Sequence, residues 1–387
     1  MIRGLCRSRQ LLRLRCQARG MAAATPVEVK SPVRPVRVLF CGPESVFPDG
    51  FRWTKKYLEP HSQIEVDAVP CQEIPKVFHE YDMCVARMVK VDSSLISLAK
   101  RMQLICQFGV GLEGVDVEAA TKAGIKVGRI ASDATGNALS CAEHAIYLML
   151  ALLRDQKGMD KSVSEKCLGF PTGDTLFGKT VFIVGYGNIG KELAIRLRAF
   201  GVRVLATKRS WSKKNSSLHP EDNPLLADGL ITRKSHQLFQ YLKENEDLLV
   251  DEKGSGDSLY DFASRADIIV LCCLLTPETA GMVNEKFVNS MKKGALVVNV
   301  ARGGLLDYKS VRDGLESGHL GGLGLDVAWH EPYDPQDPIL QHPKVILTPH
   351  VAGVTQLSYA KMAQVIADCA VELSHGRGVS GLLELVN

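Results

Sequence analysis

The sequence predicts an α/β protein of two doubly wound parallel-sheet domains with a cleft between them. Three observations predict it. Short apolar runs recur along the chain with helical stretches between them. A glycine-rich turn, GYGNIG at 185–190, joins an apolar run to an amphipathic one. An arginine, a glutamate and a histidine each stand just beyond an apolar run in the second half.

The chain has 387 residues, 45% hydrophobic and 23% charged, which suits two globular domains with ample core. PVRVLFCG (35–42) reads as the first buried strand, and 64–69, 82–86, 104–108 and 126–130 as further strands. A helix is expected over about 138–155, with Ala142, Ala145, Ile146, Met149 and Leu153 on one face. A polar loop with Gly and Pro, about 157–176, is the expected hinge between the units. Strands then recur at 202–207, 267–273, 295–300, 322–327 and 344–348, and a helix closes the pattern at 355–374. Residues 212–258 break this rhythm. Their polar runs KKNSS, HPEDNP and EKGSGDS are longer than a crossover needs, so they read as a surface insertion, or else as a flap over a nucleotide.

The net charge of +4 comes largely from the first twenty residues, so the body carries no field suited to nucleic acid. The longest apolar run, AIYLMLALL (145–153), is too short to span a membrane. Neither a nucleic-acid nor a membrane partner is expected. Eleven cysteines with no CxxC pair suggest reduced core residues in a reducing compartment, with no metal site. Residues 1–27 carry Arg3, Arg7, Arg9, Arg13, Arg15 and Arg19 among leucines, with no acid and no lysine. They read as a transit peptide, mitochondrial rather than chloroplast because serine is scarce, with a plain basic tail as the alternative. A start at Met21 would give a cytosolic form.

The turn Gly185, Tyr186, Gly187, Asn188, Ile189, Gly190 lies between strand and helix. Gly185 permits the tight turn, Gly187 lets backbone approach a pyrophosphate, and Gly190 lets the helix pack on the strand. The helix N-terminus then faces the anion. In this frame the motif is a strong dinucleotide signal. LATKRSW (205–211) ends the next strand, where an acid would hold a ribose 2′-hydroxyl. Here stand Lys208, Arg209 and Ser210. Arg209 suits bidentate pairing with a 2′-phosphate, with Ser210 a hydroxyl donor and Lys208 a general positive charge. NADP(H) is therefore the preferred cofactor, with NAD(H) possible.

Arg302 follows ALVVNVA, Glu331 follows GLGLDVAWH, and His350 follows KVILTP. Ligands bind outside the carboxyl ends of strands in open α/β sheets, so the three could share one crevice. Together they suit reduction of a small 2-keto acid. Arg302 would grip the carboxylate and polarise the carbonyl. His350 would give the proton, since an imidazole titrates near neutrality. Glu331 would fix the imidazole tautomer and stabilise its charged form.

Over about 80–360 the sequence resembles the D-isomer-specific 2-hydroxyacid dehydrogenases. GVGLEGVDVEAATKAGIKV (109–127) is similar to the family's substrate loop and GKTVFIVGYGNIG to its nucleotide fingerprint. MKKGALVVNVARGGLLD carries the family arginine as Arg302, GLGLDVAWHEP the acid as Glu331, and HPKVILTPHVAG the histidine as His350. The resemblance implies a homodimer of chains with two Rossmann-like or flavodoxin-like domains. A substrate domain, 35–156 with 351–387, would be interrupted by a dinucleotide-binding domain, 157–350. It further implies that the backbone N–H groups of Val110 and Gly111 bind the substrate carboxylate with Arg302. Ala301 and Asp326 would touch the cofactor, Asp326 at the nicotinamide amide. Leu112, Asn137 and Trp329 are expected to line the pocket. TKRS is similar to the NADP-preferring hydroxypyruvate and glyoxylate reductases, which implies a hydride transfer that yields the D-2-hydroxy acid. The 212–258 segment departs from the family pattern. GNALSCAEHA (136–145) has an asparagine as in formate dehydrogenases, although those carry Gln where this chain has Glu331. An NAD-dependent phosphoglycerate- or formate-type dehydrogenase, and a dinucleotide-sensing corepressor-like scaffold, are the alternatives.

Overall fold

Strand formation follows the apolar runs closely. In the computed structural model the described residues are 33–387, apart from 88, 110, 113, 131–134 and 212–247. The 1–27 segment, Val110 and most of 212–258 lie outside the described residues.

Strands β1 (Val36–Cys41), β2 (Ile64–Val69), β3 (Met83–Ala86), β4 (Leu104–Gln107) and β5 (Lys126–Arg129) are joined by β13 (Glu384–Leu385) in one sheet. Its order is β13-β5-β4-β3-β1-β2, and only the β13–β5 pair is antiparallel. Alternate side chains of β1 feed opposite faces. Leu39 and Cys41 join Ile105 and Val127 on one, while Val38 and Phe40 join Val85 and Ile366 on the other. That second face is covered by the helices Pro48–Leu58 and Gln356–Ser374, which pack on each other. The chain's last helix therefore completes the first sheet.

The second sheet is wholly parallel. It contains β6 (Thr180–Val184), β7 (Arg203–Thr207), β8 (Glu252–Gly254), β9 (Ile268–Leu271), β10 (Ala295–Asn299), β11 (Leu320–Leu325) and β12 (Val345–Leu347). The order β12-β11-β10-β9-β6-β7-β8 reverses between β6 and β9. A reversal of this kind opens the crevice in which such sheets bind ligands. Both faces are buried, as a parallel sheet requires.

Two expectations change here. The helix Asn137–Leu153 packs on β10, β11, β12 and the helix Asn188–Ala199, so packing puts it with the second sheet. The expected boundary at 156 falls after it. The chain returns to the first sheet at 348–356, where Thr355 Oγ1 meets Ser140 Oγ of this helix at 2.8 Å. The second change concerns 248–258, expected within the insertion. Leu249 and Val250 are buried in the core, and β8 pairs in parallel with β7. Glu-Lys-Gly escapes detection because a three-residue edge strand carries almost no periodic signal.

Among the described residues the cysteines form no disulfide, no His/Cys/Asp/Glu cluster could hold a metal, and no helix is long and apolar enough to cross a membrane.

Candidate active site

The glycine turn leaves β6 at the sheet's reversal point. Gly185 has φ +98°, and a Cβ there would stand 2.6 Å from the backbone nitrogen of Cys273. A Cβ on Gly190 would be 2.7 Å from Gly185 O, so helix and turn are in direct contact. A Cβ on Gly187 would meet nothing within 4 Å. The turn is thus closed beneath and open above, as a backbone approach to a pyrophosphate requires. The amides of Gly185 and Tyr186 donate to Thr207 O at 3.2 and 2.9 Å, tying the turn to the end of β7. Tyr186 points into the core at 1% exposure, while Asn188 and Ile189 open the helix.

Beyond β7, Lys208 is half-buried, and Arg209 and Ser210 are exposed. Three neighbours were not anticipated. Trp211 donates from Nε1 to Gly254 O at 2.9 Å, and its ring lies 5.1 Å from that of Tyr186. Lys208 Nζ and Lys253 Nζ lie 5.7 and 5.2 Å from the Trp211 ring. Glu278, on the loop after β9, has its carboxyl held below the ordinary value, first by a Thr276 hydrogen bond and also by the charge of Arg209. Only β8, itself unanticipated, brings Lys253 and Gly254 to this edge.

At the opposite end the loops are cross-tied. Asn299 is fully buried. Its Nδ2 donates to Arg302 O at 2.8 Å, its Oδ1 accepts from Ala301 N at 3.0 Å, and its own carbonyl accepts from Asp326 N at 3.0 Å. One side chain thereby shapes the Ala301–Arg302 turn. Arg302 Nη1 donates to Ala301 O at 2.8 Å. A Cβ on Gly303 would sit 2.0 Å from Ala328 O, so the Arg302 loop abuts the Glu331 loop. Glu331 Oε1 accepts from Ala328 N at 3.1 Å, and Oε2 meets His350 Nδ1 at 2.7 Å. The Glu331 and His350 side chains are 24% and 41% exposed. Burial raises the Glu331 carboxyl, but the His350 hydrogen bond and charge, the Ala328 amide and Arg302 outweigh it and hold it below its ordinary value. His350 has φ +55°, a left-handed conformation. The structure thus joins Glu331 to His350 directly and sets Arg302 in the adjoining loop.

Asp326, expected at the nicotinamide amide, is 2% exposed. Its Oδ1 accepts from Thr348 Oγ1 at 2.6 Å and Val351 N at 2.9 Å, and its Oδ2 from Ala352 N at 2.8 Å. That placement lets it clamp the His350 turn. Leu112 packs on the first sheet's core, and Trp329 donates to Leu306 O at 2.8 Å while its ring meets Tyr308 edge-on. Asn137 abuts Gly353 at the crossing between the sheets. Gly111 is half-buried in the loop after β4. Arg87 was missed: it follows β3, donates to Val46 O and lies 5.5 Å over the Tyr359 ring. A lone arginine after a short strand gives no pattern to read.

The sheet reversal and the open glycine turn define a dinucleotide-binding α/β fold, with the paired His350 and Glu331 at the same carboxyl edge of the sheet. A model of the D-isomer specific 2-hydroxyacid dehydrogenase NAD binding domain matches residues 146–226 and 237–352, and the chain belongs to that family. Only 227–236 interrupts the match, so less of the expected insertion departs from the family than anticipated. The chain is 31% identical to a D-3-phosphoglycerate dehydrogenase of Archaeoglobus fulgidus over 321 residues, 81% of this chain and 53% of the relative. It is 30% identical to a glyoxylate reductase of Pyrococcus furiosus over 82% of this chain and 88% of the relative. The solved structure of a glyoxylate reductase from Paecilomyes thermophila superposes with a TM-score of 0.66 at 25% identity, covering 87% of this chain and 96% of that one. The chain thus spans about half the length of the phosphoglycerate dehydrogenases it matches.

Proposed function

We propose that the chain is an NADP(H)-preferring oxidoreductase that reduces a small 2-keto acid, of hydroxypyruvate or glyoxylate type, to the D-2-hydroxy acid. The observation that carries this reading is the 2.7 Å bond between His350 Nδ1 and Glu331 Oε2, next to the Arg302 loop. With Nδ1 engaged by the carboxylate, Nε2 is the atom left to give and take the substrate proton. Glu331 stabilises the imidazolium that precedes donation. Arg302, with the amides of Val110 and Gly111, binds the substrate carboxylate, and its charge favours the developing alkoxide. A nicotinamide bound in the crevice would supply the hydride. The open face of Gly187 supports a pyrophosphate there, and the exposed Arg209 and Ser210 beside Lys208 support a 2′-phosphate.

The glyoxylate reductases support the substrate class, because they match along nearly their whole length. Exposed Tyr147, Val163, Leu168, Phe170 and Phe177 support a homodimer. The arginine-rich 1–27 segment supports mitochondrial import. The test is a keto-acid panel run with NADPH and with NADH, alongside phosphoglycerate and formate oxidation. Hydroxypyruvate or glyoxylate should be reduced much faster with NADPH. Equal rates refute the cofactor assignment, and phosphoglycerate oxidation alone refutes the substrate class. Sedimentation and imaging of a C-terminal fusion check the dimer and the compartment. A nuclear signal without turnover would favour a scaffold.

A further inference from the structure

We propose that His144 is a positioning residue that acts through Thr348 and Asp326 to hold His350 in its left-handed conformation. The proposal deepens the acid–base reading above and rests on it. His144 lies on the helix Asn137–Leu153, on the buried side of the 348–352 turn, with its side chain 17% exposed. Its Nε2 is 2.8 Å from Thr348 Oγ1. Thr348 Oγ1 has a single proton, and the 2.6 Å bond to the Asp326 carboxylate takes it. The same oxygen must then accept from His144, which fixes the proton on Nε2. The result is a directed chain: His144 N–H to Thr348 O–H to Asp326 Oδ1.

Asp326 is a buried carboxylate, and such a group persists only where donors surround it. It receives Thr348, Val351 N and Ala352 N, and His144 Nε2 lies 3.4 Å from its Oδ1. The held atoms bracket His350, with Thr348 on one side and Val351 and Ala352 on the other. His350 N donates to Thr348 O at 2.9 Å, closing the turn. A non-glycine residue at φ +55° persists only where its surroundings over-determine it. The chain headed by His144 is that over-determination, and it sits behind the residue whose ring must meet Glu331. Burial lowers the affinity of His144 for a second proton, with Asp326 acting against this. Both forms of the ring carry the Nε2 proton, so the chain survives either.

The test compares His144→Leu with His144→Gln, whose Nε2 can still donate to Thr348. Keto-acid reduction is measured at saturating NADPH, and amide exchange is followed on a peptide spanning 346–353. His144→Leu should lower kcat by about 10- to 100-fold, the scale of a small misplacement, with a much smaller change in KM. Exchange of the Val351 and Ala352 amides should quicken by about tenfold, as local opening becomes easier. His144→Gln should recover most of both losses. Should the Leu variant fail to fold, Thr348→Val, which keeps the shape and drops the hydroxyl, carries the same expectation. Wild-type kcat and exchange in the Leu or Val variant, or a folded Gln variant as impaired as Leu, would overturn the proposal. If the wild-type protein reduces no 2-keto acid, the functional reading fails, and the exchange comparison still decides the clamp.

Discussion

The two ends of the second sheet's carboxyl edge are built on different principles. At β10–β12 the loops are braced within themselves and against one another: Asn299 to Arg302 and Ala301, Glu331 to Ala328, and across loops Asp326 to Val351 and Ala352. The donors and acceptors are mostly backbone or buried. At β7–β8 the side chains of interest are long and charged, from half-buried Lys208 to exposed Arg209 and Lys253, and the two lysines lie over a single indole. Proton transfer needs atoms fixed to a fraction of an ångström. Discrimination of a phosphate from a hydroxyl needs mainly charge of the right sign within reach. The first end should therefore tolerate no substitution, and the second should respond in a graded way.

The largest effect is expected at Arg302. Arg302→Ala should lower kcat/KM by about 10³-fold, the cost of losing a principal charge stabiliser, with thermal unfolding little changed. Wild-type kcat/KM in a folded variant would break the comparison at its strongest point. Glu331→Gln comes next, with a loss on the order of 10²-fold. Its pH dependence has a definite sign. The depressed Glu331 carboxyl adds stability that is complete above its ordinary value of 4.5 and fades as pH falls through the lowered one. Wild type should lose this increment on acidification, and the Gln variant should have none to lose. An equal loss of stability on acidification in both proteins would mean the 2.7 Å bond does not hold the carboxyl down.

At the graded end, Arg209→Asp should raise the KM for NADPH by about 10- to 100-fold, the worth of one charge-assisted bond, while leaving NADH use intact or improved. An equal loss with both cofactors would assign Arg209 to general cofactor binding. Lys208→Ala, tested beside it, separates a specific contact from diffuse positive charge.

What could be read in advance follows the same division. Arg302, Glu331 and His350 stand just beyond the ends of apolar strands, so topology alone predicts their meeting. The glycine turn is equally legible, since strand, turn and helix carry three different periodicities. The tethers were not legible. Asn299 hides inside an apolar strand, and nothing about an isolated amide says which backbone atoms it will bridge. Asp326 is expected at the cofactor only through the family resemblance, and nothing in the sequence says that its oxygens also hold the Val351 and Ala352 amides. β8 was lost because Glu-Lys-Gly at a sheet edge is polar, and its partner β7 lies far away in sequence. The platform at Trp211 was lost with it.

Trp211 gives the smallest expected effect and the finest test of the contrast. It anchors the exposed end twice, by Nε1 to Gly254 O and by its ring on Tyr186. Trp211→Phe drops the N–H and narrows the ring while keeping an aromatic face toward Tyr186, and should cost about 1 kcal/mol in urea unfolding. Trp211→Leu also drops the aromatic pair, adding about 0.5–1.5 kcal/mol. Neither change removes the charge of Lys208, Arg209 or Lys253, so KM for NADPH should shift by only about two- to threefold, within the energy of one weak contact. If Trp211→Leu instead weakened NADPH as much as Arg209→Asp, placement and not charge would govern cofactor choice. The two ends of the edge would then work by one principle, because a phosphate selector that depends on the exact seat of its side chains is as geometric as the His350 site.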